Sequence, residues 1–318
     1  MLHPRREVLR GAYCELELLT GARFAASDLD LPLLLQARGS RGGGHRSRAR
    51  GRGLEFEEVR AYQAGDDIRN IDWRVTARSG RPFTKLFREE RERPLLFMVD
   101  QRQPMFFGSH TCFKSTLAAY LGALIGWAGL QAGDRIGGLV LGNNQHGEIR
   151  PRHTRATAMA WLNCLHDFNH RLNAQSVLPI AAEESLLRAV SDLRRSARPG
   201  SSIVLISDFS GAHDERVREQ LYRLAQHCTL TAVHVYDPLE QELPAPALYT
   251  ITDGRSRLLL DSGDKTLQQK HRDHFSANTL FLKNLFGGLG VNLLQISTEE
   301  PPLAALAAQL RAVNTRKS

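Results

Sequence analysis

The chain has 318 residues, with 42 Lys and Arg against 34 Asp and Glu, a net charge of +8, and 42% hydrophobic and 24% charged residues. That length suffices to bury a sizeable core, and the balance is ordinary for a soluble globular protein, which excludes a disordered or fibrous chain. Residues 1–93 hold 19 basic against 14 acidic side chains, so most of the excess is N-terminal and suits acidic partners: an acidic protein face, nucleic acid or anionic lipid.

Residues 1–35 carry helical hydrophobic spacing in pieces, at Leu16 and Leu19 and again at Leu31, Leu34 and Leu35. The start of the chain has no uninterrupted apolar stretch of the kind a signal peptide needs, so none is expected. Residues 38–53, with six arginines among Gly and Ser, read as an exposed basic linker that closes an N-terminal segment, 1–53. Residues 54–93 place turn signals at Ala64-Gly65-Asp66 and Ser79-Gly80 between short alternating runs, which predicts a small β-rich unit. The acidic pair Asp66-Asp67 follows Gly65 and reads as a turn rather than a general acid and base.

From residue 94 strands and helices alternate. Strands are predicted at 94–100, 134–143, 147–152 (as a hairpin partner), 201–208, 229–237 and 291–297. Helices are predicted at 111–133, 154–172, 183–197, 212–228, 264–287 and 301–313. The longest apolar run, 117–130, is shorter than the ~20 residues a membrane span needs and lies between two strands, so it reads as a buried helix. The pattern predicts an α/β fold with a doubly wound, mostly parallel sheet over 94–300, and a C-terminal helix and tail at 301–318. Cys14, Cys112, Cys164 and Cys228 are widely separated and form no CxxC pair, which speaks against a zinc site and for small buried hydrophobes in a reducing compartment. The chain is expected to be cytoplasmic.

Ligand sites of doubly wound sheets lie at the carboxyl ends of strands. Two predicted strands end in Asp, at Asp100 and Asp208, and Thr154 stands in a third polar loop. This set resembles the metal-ion-dependent adhesion site of the von Willebrand factor type A fold, whose first loop reads Asp-x-Ser-x-Ser. Here that loop reads Asp100-Gln101-Arg102-Gln103-Pro104, and both serines are absent. Mg²⁺ needs about six oxygen ligands. Pro104 offers no side-chain oxygen, and Arg102 offers only donors and a fixed charge. At ~4 Å and an effective dielectric near 20, a unit charge facing a divalent ion is repelled by roughly 8 kcal/mol. The expectation is a degenerate site with no metal or other cofactor, in which the Arg102 guanidinium lies between Asp100 and Asp208 in the role of the ion. The plainer alternative has both aspartates capping loops and helices with Arg102 solvated.

The segment before the first strand of the sheet resembles the hallmark of a bacterial family named as domain of unknown function 58. The matching residues are Gly51, Gly53, Phe56, Arg60, Tyr62, Gly65, Asp66, Asp67, Arg69, Asp72, Trp73, Ala77, Arg78 and Glu89. The resemblance implies a type A-like domain and a non-catalytic adaptor that partners a MoxR-type AAA+ ATPase in chaperone-like assembly or stress response. Membrane-anchored type A-domain proteins are further partners it implies. Asp72 and Trp73 are expected to lock the β-rich unit to the sheet, Trp73 by packing and Asp72 by pairing with an Arg.

Other readings are weaker. "GSRGGGHRS" lacks the Lys and Ser or Thr of a phosphate loop. A hydrolase built on Ser207, His153 and Asp208 lacks the GxSxG elbow. His271 and His274 lie three apart on a helix without acidic neighbours suited to a metal, and are expected to face solvent. Nucleic-acid binding through Arg41, Arg46, Arg48, Arg50 and Arg52 remains the alternative function, although no aromatic residues accompany that charge. No small-molecule substrate is expected.

Overall fold

The computed structural model describes residues 8–35, 54–63, 71–89, 94–175, 181–252 and 257–315. The chain divides into two compact units, one formed by residues 1–40 and 93–318 and the other by residues 41–92. The boundaries expected at 53 and 300 therefore do not bound the large unit, which takes in both ends of the chain.

Helix α1 (Leu16–Ala26) buries Leu19, Ala22, Ala25 and Ala26 along one face. The four-residue helix α2 (Leu31–Leu34) starts where the Asp30 carboxylate accepts the Leu33 amide at 3.0 Å. In the small unit, β1 (Leu54–Ala61) and β2 (Phe83–Glu89) pair antiparallel with a bulge between Phe56 and Glu58. Between them lies α3 (Trp73–Ser79), so this unit is part helix rather than simply β-rich. Asp72 caps α3 by accepting the Arg74 and Val75 amides. Gly80, at φ 68°, closes it in the left-handed conformation that a glycine adopts freely. Trp73 does not pack as expected: it is 68% exposed.

The large unit continues through β3 (Pro94–Asp100), α4 (Lys114–Gln131), β4 (Arg135–Leu141), β5 (His146–Arg152), α5 (Arg155–His170), α6 (Ala182–Ser196), β6 (Ser202–Ser207), α7 (Glu215–Ala225) and β7 (Thr229–Tyr236). It ends with α8 (Pro238–Gln241), β8 (Leu248–Thr252), β9 (Arg257–Asp261), α9 (Lys265–Gly288), β10 (Asn292–Ser297) and α10 (Pro302–Thr315). The central sheet has the order β10-β7-β6-β3-β4-β5, parallel throughout except for β5, which returns antiparallel as the polar edge. The chain winds outward from β3 in one direction and then from β6 in the other, which is the von Willebrand factor type A order. The hairpin of β8 and β9 stands outside this sheet and was not predicted.

Side chains alternate across the sheet and build two cores. Leu95, Phe97 and Val99 of β3 face a layer holding α1, α4, α5 and α10, whereas Leu96 and Met98 face α6, α7 and α9. Helix α4 is apolar on every side because the sheet covers one face and other helices cover the rest. Trp127 of α4 donates its indole N–H to the Leu19 carbonyl of α1 at 3.0 Å. This accounts for the long apolar run, and no described helix is long and apolar enough to cross a membrane. Gly138 in β4 is needed as glycine: its φ is 146°, and a Cβ there would lie 2.2 Å from the Phe97 carbonyl oxygen.

Candidate functional site

Strand β3 is central and fully paired, so its last residue, Asp100, is delivered without exposure to the carboxyl edge of the sheet. Its neighbour β6 delivers Ser207 and Asp208 beside it. The two strands flank the point where the winding reverses, the usual position of a ligand crevice in such sheets.

The Arg102 side chain folds back on Asp100. Its Nε donates to Oδ1 at 3.0 Å and its Nη2 to Oδ2 at 2.7 Å, a two-pronged pair, and both side chains are fully buried. Nη1 donates to the Ala182 carbonyl at 2.8 Å and Nη2 also to the Ser210 carbonyl at 3.1 Å. Asp100 further accepts the Arg102 amide at 3.0 Å and the Ser207 hydroxyl at 2.7 Å, so both of its oxygens are occupied. Burial opposes the guanidinium charge, but Asp100 outweighs it, with a further contribution from Asp208, and Arg102 holds its proton more tightly than usual.

Asp208 has a cation of its own. Lys114, the first residue of α4, places Nζ 3.0 Å from Asp208 Oδ2 and 2.7 Å from Glu240 Oε1. A buried lysine at a helix N-terminus is unfavourable to the helix dipole, and these two carboxylates offset it. Burial works against the ammonium, yet Asp208 and Glu240 raise its pKa above that of an ordinary lysine. Burial likewise pushes the Asp208 carboxyl up, but Lys114 and then Arg102 outweigh it and hold the carboxyl well below the usual carboxylate range. Arg102 therefore does not bridge the two aspartates as expected. It pairs directly with Asp100 and reaches Asp208 only through its field.

The loop between is fixed from several sides. Gln101 donates to the Ser115 carbonyl and accepts from Asn169, whose own oxygen accepts the Cys14 amide at 2.7 Å. Pro104 sits in a 3-10 turn, Gln103–Met105, and the Gln103 amide donates to Asn143 Oδ1 at 2.7 Å. Phe209 adopts φ 58°, costing about 1 kcal/mol for a non-glycine residue; the Ser207 hydroxyl accepts its amide at 2.8 Å and Asp208 accepts the Ser210 amide at 2.9 Å.

The structure does not bring Thr154 to this site. Strand β5 runs back along β4, pairing His146 with Leu141 and Arg152 with Ile136, so Thr154 emerges at the opposite end of the sheet. There it caps α5 by accepting the Thr157 amide at 3.1 Å. His153 is at that end as well, bonded to the Leu130 carbonyl, while Ser207 is buried with its hydroxyl committed to Asp100; the hydrolase set is not assembled. His271 is half-buried and donates to the Leu239 carbonyl at 2.8 Å rather than facing solvent, while His274 is exposed. Of the hallmark residues, Arg60 donates to the Ala61 carbonyl, the Tyr62 amide donates to the Pro82 carbonyl, and Arg78 is exposed. Gly65, Asp66, Asp67 and Arg69 lie outside the described residues, as do Arg41, Arg46, Arg48, Arg50 and Arg52. Burial pushes the Cys112 thiol up to about 12 and the Cys14 thiol higher still, in keeping with inert buried hydrophobes.

The residues present do not fit a divalent metal. Arg102 and Lys114 together carry the two positive charges that a divalent ion would bring, and their hydrogen bonds fill the oxygens that would bind it. What reaches solvent is the rim: Phe107, which is 41% exposed, and a polar cavity of about 240 Å³ lined by Gln101, Asn143, Gln145, Phe168 and Arg171.

Strand order defines a type A-like domain, and at the ends of its central strands Asp100 is paired with Arg102 and Asp208 with Lys114. The family described as "Protein of unknown function DUF58" matches residues 58–280, and the chain belongs to that family. It is 28% identical over 305 residues to uncharacterized protein Rv1480 of Mycobacterium tuberculosis and to uncharacterized protein Mb1516 of Mycobacterium bovis, covering 96% of this chain and 92% of each relative. Among solved structures it is similar to the conserved hypothetical protein BatB from Bacteroides thetaiotaomicron, with 12% identity, a TM-score of 0.39, and coverage of 71% of this chain and 100% of that one. It is also similar to an aerotolerance-related membrane protein from Bacteroides fragilis, with 13% identity, a TM-score of 0.39, and coverage of 69% and 99%.

Proposed function

We infer that the protein is a non-catalytic interaction component that engages its partner through the rim of the degenerate site, without a bridging metal. The single observation behind this reading is the pairing of Asp100 with Arg102 and of Asp208 with Lys114, which pre-forms the loop that a metal would otherwise organise. A metal-bearing site recruits a partner carboxylate to complete the ion's coordination. Here the charges are internally neutralised, so recognition falls to exposed groups such as Phe107, Gln145 and Arg171. The partner is a MoxR-type AAA+ ATPase in the cytoplasm, acting in chaperone-like assembly or stress response, with membrane-anchored type A-domain proteins as further partners. The family resemblance supports this identity, and the N-terminal basic excess suits an acidic partner face. The test is capture of the full chain from its host, followed by mass spectrometry. The ATPase should be recovered with the wild type and lost with Phe107→Ala combined with Arg171→Glu. Recovery of nucleic acid in its place, released steeply by salt, would overturn the reading.

A further inference from the structure

Beside Asn169, residues from distant parts of the sequence meet. Glu15 precedes α1, and His166 and His170 lie one turn apart at the end of α5. One ring nitrogen of each histidine and a carboxylate oxygen of Glu15 lie within 4.8 Å of one another. The geometry points to a binding site for a divalent transition ion of the zinc class, held by Glu15, His166 and His170, with a further coordination position open to solvent.

The donor set suits such an ion. Two imidazoles and a carboxylate are the ligands of open three-residue zinc sites, and histidines at i and i+4 share a helix face. Ligand atoms of a tetrahedral zinc ion with bonds near 2.0–2.1 Å stand about 3.4 Å apart, so closure draws in the donor atoms, now within 4.8 Å, and turns the stacked His166 and His170 rings toward the ion. His170 Nε2 already lies 3.6 Å from Glu15 Oε1.

The supporting contacts have the polarity that ligation requires. The His170 Nδ1 lies 3.0 Å from the His166 carbonyl, which can only accept, so Nδ1 donates there and Nε2, facing Glu15, is the nitrogen left for an ion. His166 Nδ1 lies 3.3 Å from Asp167 Oδ1, the carboxylate–histidine arrangement that orients metal-binding imidazoles and raises their basicity. Tyr13 stacks on the His170 ring at 5.1 Å and is itself tied by its hydroxyl to the Leu172 carbonyl at 2.9 Å, so the ring is held on its free face. The neighbouring cation, Arg171, is directed elsewhere, over the Phe168 ring at 4.7 Å. The His166 and His170 side chains are about 30% exposed, at 28% and 32%, and Glu15 at 69%, so an ion can enter and a fourth ligand can reach it.

An ion here fastens the start of α1 to the end of α5. Its site shares no residue with the buried Asp100–Arg102 pair. Its class differs as well: imidazoles favour zinc, nickel or copper over magnesium.

The experiment uses the full chain without a histidine tag. Zn²⁺ titrated calorimetrically should bind at one site per chain and raise the melting temperature, and Co²⁺ should give the visible absorption of a low-coordinate site. Mg²⁺ should do neither. His166→Ala, His170→Ala and Glu15→Gln should each weaken Zn²⁺ binding by about tenfold or more, and Asp167→Asn by about tenfold, each with an unchanged circular dichroism spectrum. His271→Ala should bind as the wild type does. Absence of Zn²⁺ binding overturns the proposal, as does binding that survives any one of the three ligand substitutions undiminished.

Discussion

Lys114→Met removes the ammonium that sits between Asp208 and Glu240 while keeping an unbranched apolar stem of similar length in the packed start of α4. The two carboxylates respond differently. The Glu240 side chain is 34% exposed and can regain water, but that of Asp208 is 7% exposed and cannot. The cost therefore comes from Asp208, left buried with only the Ser210 amide and the field of Arg102 to favour its charge. Removing one partner of a buried pair costs about 3–5 kcal/mol, which lowers the melting temperature of a unit this size by about 10 °C. The pH dependence should change sign at this residue. In the wild type the Asp208 pKa is depressed, so its contribution is fully present above the unfolded value near 4 and is lost as pH falls through the folded value. In the variant, burial prevails and raises the pKa, so the carboxyl destabilises the fold increasingly as pH rises above about 4. Urea denaturation at neutral pH and again near pH 4.5 measures both, and the deficit should be largest at neutral pH. Adding Asp208→Asn to Lys114→Met should recover most of the loss. A deficit under about 1 kcal/mol, or one that does not change with pH, would show that Asp208 does not depend on Lys114 for its charge.

Arg102→Ser leaves the Asp100 carboxylate buried against the Ser207 hydroxyl without its cation, and is expected to cost about 3–5 kcal/mol in thermal or urea denaturation; an unchanged melting temperature would show that the pair contributes nothing. Trp73→Ala removes a side chain that is 68% exposed, so stability should shift by no more than about 0.5 kcal/mol while partner capture weakens; a large fall in melting temperature would show the indole to be packed. The His234 imidazole, between the Phe209 and Tyr236 rings and bonded to Gln295, is held down to about 4, first by burial and then by Lys114 against the opposing pull of Asp208. It stays neutral in the fold while the unfolded chain protonates, so its contribution is full above about pH 6.5 and falls by about 3 kcal/mol as pH drops to about 4. His234→Gln should flatten that part of the stability profile, and an NMR titration of His234 with a midpoint near 6.5 would contradict it.

Much of the large unit could be read from sequence because its strands are short apolar runs and its helices carry a different period. The aspartates at 100 and 208 were visible for the same reason, each closing such a run. Lys114 was not, since a lysine at the start of an apolar helix ordinarily reads as solvated, and only the crossing of α4 over β6 brings it to Asp208. Thr154 was misplaced although the hairpin that relocates it was expected: an antiparallel return carries the chain to the far end of the sheet, away from Asp100. The hairpin of β8 and β9 escaped notice because its leucines, including Leu248, Leu258 and Leu259, are exposed and follow no buried pattern. Glu15 and His170 are 155 positions apart, and nothing local in the sequence announces that α1 lies against α5.

In the reading proposed above, Arg102 and Lys114 stand in place of a metal at the adhesion-type site. Isothermal titration of the full-length wild-type protein with Mg²⁺ tests it most directly. No heat above dilution is expected, because Arg102 and Lys114 occupy the carboxylates and repel a divalent ion by several kcal/mol each. Saturable Mg²⁺ binding at micromolar concentration, lost in Asp100→Asn, would contradict it.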